Sequence, residues 1–246
     1  MKILNLFNLR TFLVLLISQL AAFLVIHYQI KYQFDFLLFG LAIGFPLAFS
    51  IQAAFRRRDR ALEYFSLFKG GTLAVHYSFA VSEDLLPEKK AEIRNILKSM
   101  GDQLILQLRQ RIKNYSPMQE AVDKIFEFIE RNREALSNRN VLRVIRYIRD
   151  ITESSTYLVS LVRHRTMIGL RVYSLAFILI FPVVQAPILY YKLGDLIPTW
   201  AFYFLLALGS LLLITLNNFQ QMIEYPFDRK GMDNIYLQDF KLDVPD

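Results

Sequence analysis

Groups able to do covalent or metal chemistry are few and scattered in this sequence. Its three histidines, His27, His76 and His164, lie far apart, no pair has the spacing of metal ligands, and there is no cysteine. Neither a metal site, a disulfide nor a cysteine nucleophile is expected. Glu63, Glu83, Asp84, Glu88 and Glu92 offer carboxylates, but residues placed in this way ordinarily form solvated helix faces. No glycine-rich phosphate loop, nucleophile elbow or zinc-protease helix is present, so neither enzymatic activity nor a cofactor is expected. The informative spacing is apolar. Leu41, Phe45 and Phe49 recur every four residues within GLAIGFPLAFSIQAAFRRRDR, residues 40–60, with Pro46 among them and Arg56, Arg57 and Arg58 close behind. Residues four apart stack on one helix face. Such a stripe can close a pore to water or pack against a neighbouring helix, and the spacing alone leaves both open.

The elements that would position this stripe are membrane spans. Of 246 residues 54% are hydrophobic and 14% aromatic, yet 21% are charged, and the mean hydropathy is +0.29. Most charges fall between Arg56 and Arg165, which suggests a membrane protein with a substantial aqueous part. Uncharged apolar runs long enough to cross a bilayer occur at 11–30, 36–55, 172–191 and 196–223, the last span ending near 218. The first run could be mistaken for a signal peptide, but it is too long, lacks an A-x-A site and is followed at once by a second span. Two helical hairpins therefore flank a polar insert: 1–55, then 56–165, then 166–223, with a tail at 224–246.

Orientation follows from basic residues near the span ends. Lys2 and Arg10 precede the first span and Arg56, Arg57, Arg58 and Arg60 follow the second, whereas the hairpin turns carry only Lys31 against Asp35 and Lys192 against Asp195. Both termini and the insert should be cytoplasmic, in a plasma membrane or, in a bacterium, the inner membrane. The net charge of +7 would suit nucleic acid, lipid headgroups or a positive-inside membrane protein, and the four expected spans speak against nucleic acid as a partner.

The insert reads as entirely helical. NYSPMQEAVDKIFEFIERNREAL offers Ser116 as an N-cap, Pro117 at the first helical position and Gln119 for a capping box, with Met118, Val122, Ile125, Phe126 and Ile129 at helical spacing. A second helix begins near Pro87. A third, capped by Ser137 or Asn138, carries Val141, Val144, Ile145, Ile148 and Ile151 and should run on into the third span. Arg143, Arg146 and Arg149 recur along that helix. They suit a salt-bridged or solvated face, an acidic lipid surface or an anion vestibule.

Two segments together resemble the bestrophins and their bacterial relatives. The first is the second span, where Leu41, Phe45 and Phe49 and then SIQAAFRRRDRALEYF match an apolar neck helix with a basic continuation, Phe55 and Arg57 standing for an aromatic-x-Arg. The second is NNFQQMIEYPFDRKGMDNIYLQDFKLD, where Glu224, Pro226 and Phe227 match an acidic-x-Pro-Phe signature. LRVYSLAFILIFPVV also resembles the family's third span through Pro182. The resemblance covers nearly the whole chain in order. It departs at Ser50 and Ile51, where the family has a small polar pair, at Tyr64 and Phe65, where a Trp-rich stretch is usual, and in DRKGMD. There only Asp228 and Asp233 remain of the acidic run that helps animal bestrophins to clasp calcium, which speaks against calcium gating.

The resemblance implies an all-α, bestrophin-like homopentamer of four-span subunits with one central pore. Leu41, Phe45 and Phe49 would be its hydrophobic neck, gating by dewetting. Arg56, Arg57 and Arg58 would form a positive cytosolic mouth that concentrates anions. Gly40 and Gly44 lie where close helix approach favours small residues, and Pro46 would let the stripe bend. A second constriction is implied near the start of the helix at Asn138. The mouth favours chloride or bicarbonate slightly over the monovalent cations that bacterial relatives pass. Glu224, Pro226 and Phe227 would either turn the chain from the membrane or pack the tail on a neighbouring subunit. The competing reading is a non-conducting membrane scaffold that binds a partner through its cytosolic helices. A transporter fits less well, since no span carries a buried charge.

Overall fold

The structure is a computed structural model and describes residues 8–34, 36–112, 114–164, 168–224, 227 and 235–241. Seven α-helices follow in order: α1 (Leu9–Tyr28), α2 (Phe36–Ala80), α3 (Pro87–Gln110), α4 (Ser116–Arg131), α5 (Asn138–Arg163), α6 (Ile168–Leu193) and α7 (Thr199–Ile223). Short 3-10 turns lie at Arg133–Ala135 and Leu237–Phe240, and no strand occurs among the described residues. The all-α expectation is met. Three of the helices are long and apolar enough to cross a membrane, within Leu9–Tyr28, Arg171–Leu193 and Thr199–Ile223.

The chain divides into two compact units, one built from the residues up to Arg56 with α6 and α7, the other from Arg57 through α5 with Phe227 and the last described turn. Both draw on α2, a single helix of 45 residues. At 1.5 Å per residue it is more than twice as long as the ~30 Å hydrocarbon layer is thick. The segment expected to be the second span is thus the opening of a helix that continues without a break through the arginines.

In the first unit α1, α6 and α7 pack together around Ala21, Ala22, Val25, Ala186, Phe202 and Leu206 and, separately, around Val14, Ile178 and Ile214. Polar side chains fasten one end. Asn8 and Thr11 form a capping box at the start of α1, and Asn218 on α7 donates to Thr11 Oγ1 at 3.0 Å and accepts from Asn8 Nδ2 at 3.4 Å. At the other end Lys31 reaches Asp195 across 3.1 Å and ties the two hairpin turns. Exposed Phe12, Leu16, Leu20, Val183, Phe204 and Leu212 are the surface a lipid phase solvates.

The second unit closes over a core of Phe65, Phe68, Val75 and Phe79 from α2 with Ile93, Leu97, Leu104 and Leu108 from α3, Ile125 and Phe128 from α4 and Val144, Ile148 and Ile151 from α5. Phe79 and Phe128 meet edge to face at 5.4 Å. Close helix approach through glycine occurs here, at Gly71, where a Cβ would lie 3.1 Å from Ile151 Cγ1. At Gly40 and Gly44 nothing among the described residues lies within 4 Å of a Cβ, so an approach there would have to come from another copy.

Helix ends agree with the sequence in part. Pro87 opens α3, and Ser137 Oγ accepts from the Asn140 amide at the start of α5. The cap expected of Ser116 is instead supplied by Asn114, whose Oδ1 accepts from the Ser116 amide at 3.2 Å. Ser116 itself is the first helical residue, preceded by Tyr115 in a helical conformation. Nor does α5 run on towards the third span. It ends at Arg163 because His164 is extended (φ −100°, ψ 115°), and Arg57 Nη1 donates to the His164 carbonyl at 2.6 Å.

Pro46 lies inside α2 and cannot donate to the carbonyl of Ala42 four residues back. That carbonyl is met from α6, where Tyr173 Oη donates to it at 3.4 Å. In hydrocarbon an unmet backbone carbonyl is costly, so the tyrosine is the partner that the proline requires. Removing one neutral hydrogen bond costs about 0.5–1.5 kcal/mol. Tyr173→Phe is expected to lower the stability of the solubilised protein by about that amount. With Pro46→Ala, which restores the ladder bond, the same change should be nearly silent. A thermal-unfolding double-mutant cycle on Tyr173 and Pro46 reads the coupling.

His76 on α2 is buried in the second unit. Burial first, and then the charge of Arg94, lower its pKa below the ordinary 6.5. The unfolded chain therefore binds the proton more readily. The stability contributed by the neutral imidazole is complete above its unfolded pKa and is lost as pH falls through the lowered folded value. Unfolding midpoints measured from about pH 7 to about pH 5 should decline, and His76→Leu should remove part of that decline.

Candidate functional site

The stripe of α2 is built by one helix with two unlike faces. Ile43, Leu47, Ser50 and Ala54 are buried, which fixes the rotation of the helix in its unit. Leu41, Phe45 and Phe49 are then turned the other way, 41%, 56% and 62% exposed. The rings of Phe45 and Phe49 stack along the helix at 6.3 Å with 20° between their planes. By helical phase the same face continues through Gln52 to Arg56, both exposed. An apolar strip about two turns long thus passes directly into a polar and cationic one.

The arginines have unequal surroundings. Arg56 is exposed. Arg57 places its guanidinium on the carbonyl that ends α5, where a cation also complements the helix dipole. Arg58 is half-buried and lies 3.8 Å from Asp59. Of the three, Arg57 is engaged in holding the second unit together.

The tail motif is divided between two surroundings. Glu224 is 1% exposed at the end of α7 and is ion-paired with Arg171 on α6. A buried pair of this kind tolerates loss of one partner badly, because the remaining charge stays desolvated. Phe227 packs edge to face on Phe65 of its own chain at 5.9 Å. Pro226, like Asp228 and Asp233, lies outside the described residues. Among the described residues no group of His, Asp and Glu could hold a metal ion.

Two features escaped the sequence reading. The Arg171–Glu224 pair links residues 53 positions apart, and only the fold brings them together. On the same face of α7, Asn217 and Gln220 are buried, and their side-chain amides have no partner among the described residues. The run NNFQQ within an apolar helix was the available signal.

No protein-family model matches the chain, and no curated protein is similar to it in sequence. Solved structures are similar in fold. Two variants of a bacterial bestrophin homolog from Klebsiella pneumoniae give TM-scores of 0.78 and 0.76 at 17% and 16% identity. They match 94% and 98% of this chain and 91% and 95% of their own. A third structure, of a membrane protein, gives 0.75 at 16% identity over 94% of this chain and 93% of its own. With three helices long and apolar enough to span, this is an integral membrane protein. Identity this low speaks to fold alone, and in fold the chain is similar to the bacterial bestrophin homolog over nearly its whole length.

Proposed function

We propose that the chain is the subunit of a bestrophin-like ion channel: a homopentamer of four-span subunits in a plasma or bacterial inner membrane, with both termini and the helical insert in the cytoplasm. The observation that carries this reading is the uncovered face of α2, where exposed Leu41, Phe45 and Phe49 lead to exposed Arg56 while the opposite face is buried. Five such faces around an axis make three stacked apolar rings. A narrow apolar passage loses its water, and an ion without water does not cross. Five copies of Arg56, with Arg57 and Arg58 behind, raise the anion concentration at the mouth. Chloride or bicarbonate is therefore slightly favoured over monovalent cations, while the neck itself selects weakly.

Within that reading the Tyr173 contact to the Ala42 carbonyl, one turn before Pro46, lies between Leu41 and Phe45. It gives the neck a hinge with a defined closed partner. The ion pair of Glu224 and Arg171 ties the end of α7 to α6.

Phe45→Ala combined with Phe49→Ala widens two of the three rings. Single-channel recordings in planar bilayers should show conductance rising several-fold, with more frequent opening. Currents equal to wild type in this double variant would remove both residues from the pore.

A further inference from the structure

The second unit carries two charge stripes of opposite sign, each broken by one opposite charge, Lys124 on α4 and Asp150 on α5, and we propose that each is covered by the other stripe of a neighbouring copy of this chain. On α4, Glu120, Asp123, Glu127 and Glu130 are all exposed. Their spacing of three and four residues sets them on the side of the helix away from buried Met118, Val122, Ile125 and Ile129. None of the four makes an ion pair among the described residues. On α5, Arg139, Arg143, Arg146 and Arg149 are exposed, away from buried Val141, Val144, Ile148 and Ile151. Their one ion pair is between Arg149 and the adjacent Asp150, at 3.5 Å.

Like charges at this spacing destabilise the helix that bears them. Within one chain the stripes do not pair with each other, although α4 and α5 pack side by side in one core. A second copy supplies the missing partner to both: its acidic stripe lies on the basic stripe of the first, and its own basic stripe is left for the next copy. Such a contact joins two different patches, and repeated around an axis it closes a ring.

An apolar centre is present between the stripes. Phe126 from α4 and Ile145 from α5, each 42% exposed, line an open groove of ≈ 620 Å³ with Tyr64, Tyr157 and Arg149. Tyr64 and Tyr157 stack at 3.8 Å and form a flat wall. Exposed apolar side chains bordered by charge are the composition of a protein interface, and complementary charge fixes its register. The inference rests on the oligomeric channel reading and names the surface through which the insert would assemble.

The test is native mass spectrometry of the full chain in mild detergent over a range of salt, with three variants. Arg143→Glu, Arg146→Glu and Arg149→Glu together make both stripes acidic. Asp123→Lys, Glu127→Lys and Glu130→Lys together make both basic. All six exchanges at once restore complementarity with the signs reversed. Each triple variant should fall to smaller species at salt concentrations where the wild type stays assembled, and the six-residue exchange should recover the wild-type subunit count. Wild-type assembly in both triple variants would overturn the surface and leave the channel reading standing. Dissociation that the six-residue exchange does not reverse would overturn the pairing as well. A monomeric wild-type chain would overturn both proposals.

Discussion

Along α2 one face is buried against the chain's own helices while the other, bearing Leu41, Phe45 and Phe49, is left uncovered. That asymmetry constrains the rest of the molecule, because rotating the helix to hide the phenylalanines would bring Ile43, Leu47 and Ala54 out of their packing. Lipid, a neighbouring helix or a narrow dewetted passage can meet such a face. What separates this stripe from the lipid-facing surfaces of α1, α6 and α7 is its continuation. It leads by helical phase to Gln52 and Arg56, groups that gain from water and from mobile anions. A single uninterrupted helix makes that transition possible, since a loop after residue 55 would break the phase between the apolar and charged parts.

Backbone hydrogen bonding sets the second constraint. The carbonyl freed by Pro46 needs a donor, and α6 provides it through Tyr173. The same demand governs the other end of the first unit, where Asn8, Thr11 and Asn218 satisfy one another and Glu224 is held by Arg171. Asn217 and Gln220, buried without partners among the described residues, are the costliest groups there. In the second unit Arg57 resolves the corresponding problem at the end of α5 by accepting the role of a C-terminal cap.

Much of this was legible in the sequence because it depends on periodicity. Met118, Val122, Ile125 and Ile129 on one helix and Val141, Val144, Ile148 and Ile151 on another foretold the buried faces of α4 and α5. Ser137 foretold a cap. What failed depended on partners distant in sequence or on competing local chemistry. Ser116 is not the cap because the helix already begins at it, and Asn114 accepts from the Ser116 amide. The helix at Asn138 stopped at Arg163, where an extended His164 and the guanidinium of Arg57 end it. The close glycine approach within the chain, at Gly71 against Ile151, was not read from the sequence. The Tyr173 contact and the Arg171–Glu224 pair join residues that no local pattern relates.

The uncovered face of α2 is the centre of this account, and its position in the assembled protein can be seen directly. Electron-microscopy class averages of the solubilised protein, viewed down the membrane normal and extended to a map that resolves side chains, would locate Leu41, Phe45 and Phe49. The expected result is a ring of five subunits with these three residues lining the narrowest part of an axial opening. A monomer or dimer without an axial opening, or a ring in which the stripe faces the detergent belt, would contradict it.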